Sequence, residues 1–241
     1  HELVNLQGIY TYDRVEGATH WSELLDLGEK NKNVLQLDSI KSTIDAGDLA
    51  TLLYTSGTTG NPKGVMLSHN NLVSNFIAVE HLPPVKQGDI VLSFLPLNHI
   101  YERMLTYLYM YLCTSIYYAE SMDTIGDNIR EVKPVAFSAV PRLIEKVYDR
   151  IVAKGAELTG IKKALFYWAL NLGLKYDPNK DGGIFYNLQL NLANKLIFPK
   201  WREALGGNLK AIVSGGAALQ PRLARVFWAA QIPILEGYGC T

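Results

Sequence analysis

The 241-residue chain is short of several things, and each shortage removes a class of protein. Its only cysteines, Cys113 and Cys240, are too few for a disulfide scaffold, so a reducing compartment is expected. It has no excess of either charge. The 23 Lys plus Arg balance the 23 Asp plus Glu, which argues against a nucleic-acid binder relying on a general basic field. It also lacks a membrane-spanning run: no uncharged stretch exceeds the 16 residues of Met104 to Ala119, which include Thr106, Thr114 and Ser115. A spanning helix takes about 20 predominantly apolar residues, so a buried helix followed by a strand is the expectation there. The His1-Glu2-Leu3 start has neither an initiator Met nor the pattern of a signal peptide, which suggests a cut or processed beginning. No repeat of 20–50 residues is present.

What the chain does have is a globular composition, 48% apolar and 19% charged, which excludes a disordered or low-complexity protein. Residues 1–47 are polar and weakly periodic, with no strong element and a surface loop at Glu29-Lys30-Asn31-Lys32-Asn33. From Asp48 onward, short apolar runs alternate with longer amphipathic ones. Strands are expected at 49–55, 90–95, 115–119, 135–138, 209–213 and 232–236. Helices are expected from Ser68, an N-cap, and over 100–112, 124–132, 141–156, 161–175, 184–198, 200–205 and 221–230. Nearly all-apolar strands alternating with helices imply an α/β fold, a mostly parallel sheet with helices on both faces. The helix-rich block at about 141–205 interrupts the alternation and reads as an insertion in a domain spanning 48–241, with 1–47 as its lead-in.

The strongest chemical signal is Tyr54-Thr55-Ser56-Gly57-Thr58-Thr59-Gly60-Asn61-Pro62-Lys63-Gly64. Glycines let backbone N–H groups approach an anion, hydroxyls add donors, and Lys63 adds a full positive charge suited to phosphate. A solvated Ser/Thr/Gly turn is the bland alternative, but every residue type in the run serves phosphate binding. The spacing is not that of a Walker loop, since Asn61-Pro62 separates Gly60 from Lys63 and Gly64 follows the lysine. That counts against a P-loop phosphotransferase.

This run resembles the phosphate-loop signature of the adenylate-forming superfamily of acyl-CoA synthetases, luciferases and peptide adenylation domains. Further segments agree in order: Leu95-Pro96-Leu97-Asn98-His99 resembles a second core motif, and Ser214-Gly215-Gly216-Ala217-Ala218-Leu219 the Gly-rich adenine segment. Glu236-Gly237-Tyr238-Gly239-Cys240-Thr241 resembles the family's Gly-Tyr-Gly-x-Thr-Glu motif. The run from Pro62 to Leu72, and Val140-Pro141-Arg142-Leu143-Ile144-Glu145-Lys146-Val147-Tyr148 before a long helical block, resemble the long-chain fatty acyl-CoA synthetase branch.

The resemblance implies two half-reactions using ATP, Mg²⁺, a fatty acid and coenzyme A, through acyl-AMP. It implies that Thr55, Ser56, Gly57, Thr58, Thr59, Gly60 and Lys63 hold the β- and γ-phosphates. Gly215, Gly216 and Ala217 would lie against adenine, within a nucleotide site that includes Glu236 and Gly237. Tyr238 would stack on the base and Thr241 reach the α-phosphate. His99 would lie near the reacting carboxylate, its alternative being a helix cap. His69 is read as structural, and His1, His20 and His81 show no zinc arrangement. Six tyrosines (101, 107, 109, 111, 117 and 118) suit either an acyl tunnel or core packing. Lys162-Lys163, Phe166, Tyr167 and Trp168 suit either a membrane-surface face or, preferably, a solvated one.

The sequence departs from the family pattern at its end. A metal-binding Glu would follow Thr241, and later segments would bring a ribose-binding Asp, an Arg and a lid domain with a Lys. The expectation is therefore a central fragment of a larger cytoplasmic ligase, peripheral membrane contact remaining open, with little activity alone. A relative acting on medium-chain or aryl acids and a non-catalytic nucleotide-binding module are the alternatives.

Overall fold

Local sequence decides most of the secondary structure, and the computed structural model describes residues 7–55 and 61–241. The chain forms two compact units, His1–Asp48 and Leu49–Thr241. In the first, β1 (Tyr10–Thr11) pairs in parallel with β2 (Thr19–His20), followed by α1 (Ser22–Lys30) and α2 (Val34–Ser42). These elements correct the expectation that residues 1–47 hold no strong element, and Glu29 and Lys30 close a helix rather than sit in a loop. The physical reason is that both helices are short and bury no residue, so neither carries the run of core positions that marks the later helices. What marks α2 is its cap: the Asn33 side chain accepts from the Gln36 N–H at 3.0 Å.

In the second unit, β3 (Leu49–Thr55) pairs with β4 (Lys63–Ser68) as an antiparallel hairpin that sets Thr55 opposite Lys63. Strand β4 is not among the strands expected from sequence, where the loop leads straight into a helix. Its side chains alternate toward solvent, with Met66 73% exposed, so it carries none of the continuous apolar character of the sheet strands. Helix α3 (His69–Val79) begins as expected, with a capping box in which Ser68 and Asn71 satisfy each other's backbone N–H groups.

The remaining strands, β5 (Ile90–Ser93), β6 (Ser115–Tyr118), β7 (Ala136–Ala139), β8 (Ala211–Ser214) and β9 (Ile234–Glu236), form one parallel sheet in the order β6-β5-β7-β8-β9. Period-two alternation divides its core. Val91, Ala136 and Val213 pack against Leu105, Leu108 and Tyr109 of α4 (Ile100–Tyr111). Leu92, Phe137 and Ile212 face the opposite core, built with α5 (Ile125–Val132), α6 (Pro141–Ala156), α7 (Gly160–Leu174), α8 (Gly183–Leu196), α9 (Phe198–Ala204) and α10 (Pro221–Ala229). The chain is thus α/β, a parallel sheet with helices on both faces.

Four helices, α6 to α9, lie between β7 and β8. Within this block Phe166 is buried and packs against Trp201 and Tyr167, Trp168 Nε1 donates to Gln189 Oε1, and Lys163 Nζ donates to the Ala156 carbonyl. The aromatic residues read as a surface face are therefore committed in part to the protein interior. Gly173 permits the approach of α7 to α10, because a Cβ there would lie 2.7 Å from Val226 Cγ2.

Candidate nucleotide site

The strand order places a reversal between β5 and β7: the chain runs from β5 outward to β6, then returns past β5 to β7 and on to β9. In open parallel sheets such a reversal opens a crevice beyond the carboxyl ends of the strands, where ligands bind. The candidate residues of three motifs sit at those ends.

Between β5 and α4 lies the segment Phe94–His99. His99 is the N-cap residue of α4, in extended conformation, and its backbone N–H donates to the Pro96 carbonyl at 3.0 Å. Its side chain makes no capping hydrogen bond and is exposed, so the helix-cap alternative describes its backbone and leaves the imidazole to other work.

Beyond β8, Gly215 donates its N–H to the Ala139 carbonyl at 3.2 Å, and Gly216 adopts φ +82°, a backbone state that favours glycine. Gly216 and Ala217 are exposed, as is Glu236 at the end of β9. Glu236 accepts from the Leu219 N–H at 3.1 Å, and Gly237 donates to the Ser214 carbonyl at 2.8 Å. The adenine-type segment and the last motif are thus tied to each other. Tyr238 projects its ring with 97% exposure and Thr241 is exposed at the end of the same strand-following segment.

Three consecutive residues of α4, which sequence reasoning missed as site residues, bind these pieces. The Tyr101 hydroxyl donates to the Val213 carbonyl at 2.9 Å, and its ring fills the space where a Gly215 Cβ would come within 2.6 Å. Burial pushes its phenol well above the usual range. Glu102, with no exposed surface, accepts from the Ser93 hydroxyl on β5 at 2.5 Å and from the Ser138 hydroxyl on β7. Burial raises its carboxyl above the ordinary range, opposed by the donors of Ser138, Ser93 and the Phe94 backbone. Arg103 donates through Nε to the Leu97 carbonyl at 3.1 Å and through a terminal nitrogen to Thr51 Oγ1 at 2.5 Å, linking the His99 loop to β3. A partial signal for two of them is in the sequence: Glu102-Arg103 is a charged pair directly before the 16-residue uncharged stretch Met104 to Ala119.

Only the two flanks of the phosphate-type motif are described. Thr55 and the exposed Lys63 face each other across the hairpin, and Ser56, Gly57, Thr58, Thr59 and Gly60 lie outside the described residues. Among the described residues no hydrogen bond or ion pair links Lys63 to His99, Gly215 or Glu236. The tyrosines do not act as a set either: Tyr109 is fully buried, Tyr101 braces Gly215, and Tyr111, Tyr117 and Tyr118 are exposed. Among the described residues no three His, Cys, Asp or Glu side chains converge as they would around a metal ion held by protein groups alone. No described helix is long and apolar enough to cross a membrane.

Comparison with known proteins gives concordant findings. The family model for AMP-binding enzymes matches residues 7–241. A long-chain-fatty-acid–CoA ligase of Xenopus laevis is 36% identical over 91% of this chain and 31% of its own length. Long chain acyl-CoA synthetase 3 of Arabidopsis thaliana is 32% identical over 99% of this chain and 36% of its own. The chain therefore spans about a third of the length of the curated relatives it matches. Among solved structures, the adenylation domain of a Mycobacterium chelonae carboxylate reductase superposes with a TM-score of 0.57 at 24% identity, covering 91% of this chain and 33% of that one. A malonyl-CoA ligase complex with methylmalonyl-CoA and AMP gives 0.56 at 21%, covering 82% and 34%. Both share the fold.

Proposed function

Because the chain belongs to the AMP-binding enzyme family, we propose that it is the nucleotide-holding part of a long-chain fatty acid–CoA ligase. The observation that carries the substrate class is the identity of 32–36% to long-chain ligases and synthetases over nearly the whole chain. The reaction follows in two steps. A fatty-acid carboxylate oxygen attacks the α-phosphorus of ATP, the bond to the β-phosphate oxygen breaks, and pyrophosphate leaves. The thiol of coenzyme A then attacks the acyl carbon, and AMP leaves with the former carboxylate oxygen.

Such phosphoryl chemistry needs positioning and charge neutralisation more than covalent help from the protein. In this reading Thr55, Lys63 and the loop from Ser56 to Gly60 hold the departing pyrophosphate. Gly215, Gly216 and Ala217 admit the adenine, Tyr238 stacks on it, and Thr241 contacts the α-phosphate. His99 donates a hydrogen bond to charge developing between carboxylate and phosphate. What supports this assignment is that the segments carrying His99, Gly215 and Gly237 follow the carboxyl ends of β5, β8 and β9 in one sheet, with Tyr101 against both glycines.

Fatty-acid-dependent exchange of labelled pyrophosphate into ATP, measured on the full-length protein that carries this chain, tests the proposal. Exchange with long-chain fatty acids is expected. No exchange with any fatty acid would sink the ligase reading, exchange confined to shorter or aryl acids would move the substrate class, and γ-phosphate transfer would point to a phosphotransferase.

A further inference from the structure

The buried carboxyl at the strand-order reversal has no place in the reaction just described. A carboxyl in an apolar interior is costly unless its oxygens are bonded, and Glu102 is bonded from both sides of the crevice. Ser93 of β5 donates to Oε1 at 2.5 Å, Ser138 of β7 donates to Oε2, and the Phe94 backbone N–H adds a third donor. Ser93 immediately precedes the segment Phe94–His99, and Glu102 lies three residues after it. One side chain thus holds the two ends of the His99 loop together and pins both to β7. Inside the loop, the His99 N–H to the Pro96 carbonyl and Arg103 to the Leu97 carbonyl add two further bonds.

Resting on the ligase reading for its chemistry, we propose that Glu102 is a positioning residue: it closes the Phe94–His99 loop and so fixes the imidazole of His99 at the mouth of the β5/β7 crevice. Glu102 touches no substrate. It acts through backbone geometry, by giving two hydroxyls on adjacent strands a single bidentate acceptor. Two acceptor oxygens at fixed separation define the spacing of β5, β7 and α4 where an apolar side chain of equal size would only fill it. Locally unfavourable groups of this kind are tolerated where a site depends on them.

The test uses Glu102→Leu, which removes the acceptors, and Glu102→Gln, whose amide accepts from one hydroxyl and donates to the other. In the full-length protein, Glu102→Leu should lower kcat of pyrophosphate exchange on the order of 10²-fold, as misplacement by about 1 Å does, and leave KM for ATP within about threefold. Amides of residues 94–99 should exchange with deuterium about tenfold faster, while those of β8 stay protected. Glu102→Gln should recover most of both losses. In a His99→Ala background, Glu102→Leu should cost less than about threefold more, because the two residues act as one unit.

Unchanged kcat and loop exchange in a folded Glu102→Leu protein would overturn the proposal, as would a full multiplicative loss on top of His99→Ala. Should Glu102→Leu fail to fold, Ser93→Ala removes one donor and leaves Ser138, with the same readouts expected at smaller amplitude and the same results overturning. A wild-type protein without pyrophosphate exchange would sink the ligase reading alone, since deuterium exchange of the loop still decides the clamp.

Discussion

The β3–β4 hairpin and the carboxyl edge of the five-stranded sheet both carry nucleotide-type motifs, yet they are built on opposite principles. The sheet edge stands on the buried strands β5, β7 and β8, and its loops are held from beneath by Tyr101, Glu102 and the backbone bonds of Gly215 and Gly237. The hairpin has one wet face, with Tyr54 72% and Met66 73% exposed, and Arg103 reaching Thr51 is a tether between it and the His99 loop. In the proposed ligase this difference would separate two tasks. Residues that must meet a reacting atom gain from a rigid platform. A loop that gathers and releases a polyanion needs donors and charge, and a hairpin delivers these without a core of its own.

Substitutions on the two sides of that contrast should behave differently. The largest effect belongs beneath the platform: Phe227→Ala, at a position with no exposed surface, should destabilise the protein by about 3–5 kcal/mol in chemical denaturation. A loss below about 1 kcal/mol would mean that the sheet core does not carry the fold. On the hairpin the effect should move from stability to activity. Lys63→Ala should lower ATP-dependent pyrophosphate exchange by about 10²-fold, while the exposed position keeps stability within about 0.5 kcal/mol. An unchanged dependence on ATP would count against its contact with phosphate.

Gly215→Ala probes the meeting of platform and nucleotide. The added Cβ would come within 2.6 Å of the Tyr101 ring, and overpacking of this kind costs about 1–3 kcal/mol. Weakened AMP binding in calorimetry should accompany it. Indifference in both measurements would show that Tyr101 is free to swing away.

The smallest effect is a change of slope with pH. Burial raises the Glu102 carboxyl in the folded protein, so the native state holds its proton over a range in which the unfolded chain has released it. Stability from this group is then complete below the ordinary carboxylate range and is lost as pH rises through the raised value. Glu102→Gln lacks the titration, so wild type should lose stability relative to the variant over that interval, as followed by urea denaturation across pH. Parallel curves would contradict the burial of an ionisable group there.

Much of this architecture is legible in the amino-acid sequence. Apolar strands such as Ala211–Ser214 and the proline opening α6 declare themselves, because burial on both faces and a missing N–H leave plain marks. The motifs carrying His99, Gly215 and Tyr238 stand out for the same reason, each needing particular residue types at fixed spacing. What escapes are elements stabilised without a core stripe: α1 and α2, which bury nothing, and β4, whose strand character comes from pairing with β3. Tyr101 and Glu102 escape as site residues because their roles depend on distant partners. Tyr101 needs Val213, more than a hundred residues away, and Glu102 needs Ser138 on a neighbouring strand.

Attack of a carboxylate on the α-phosphorus at this site is tested most directly by isotope transfer. The full-length protein is given a long-chain fatty acid labelled with ¹⁸O in both carboxyl oxygens, together with ATP and coenzyme A. One labelled oxygen should appear in the AMP released and one should remain in the acyl-CoA. Unlabelled AMP, or ADP in its place, would contradict that attack.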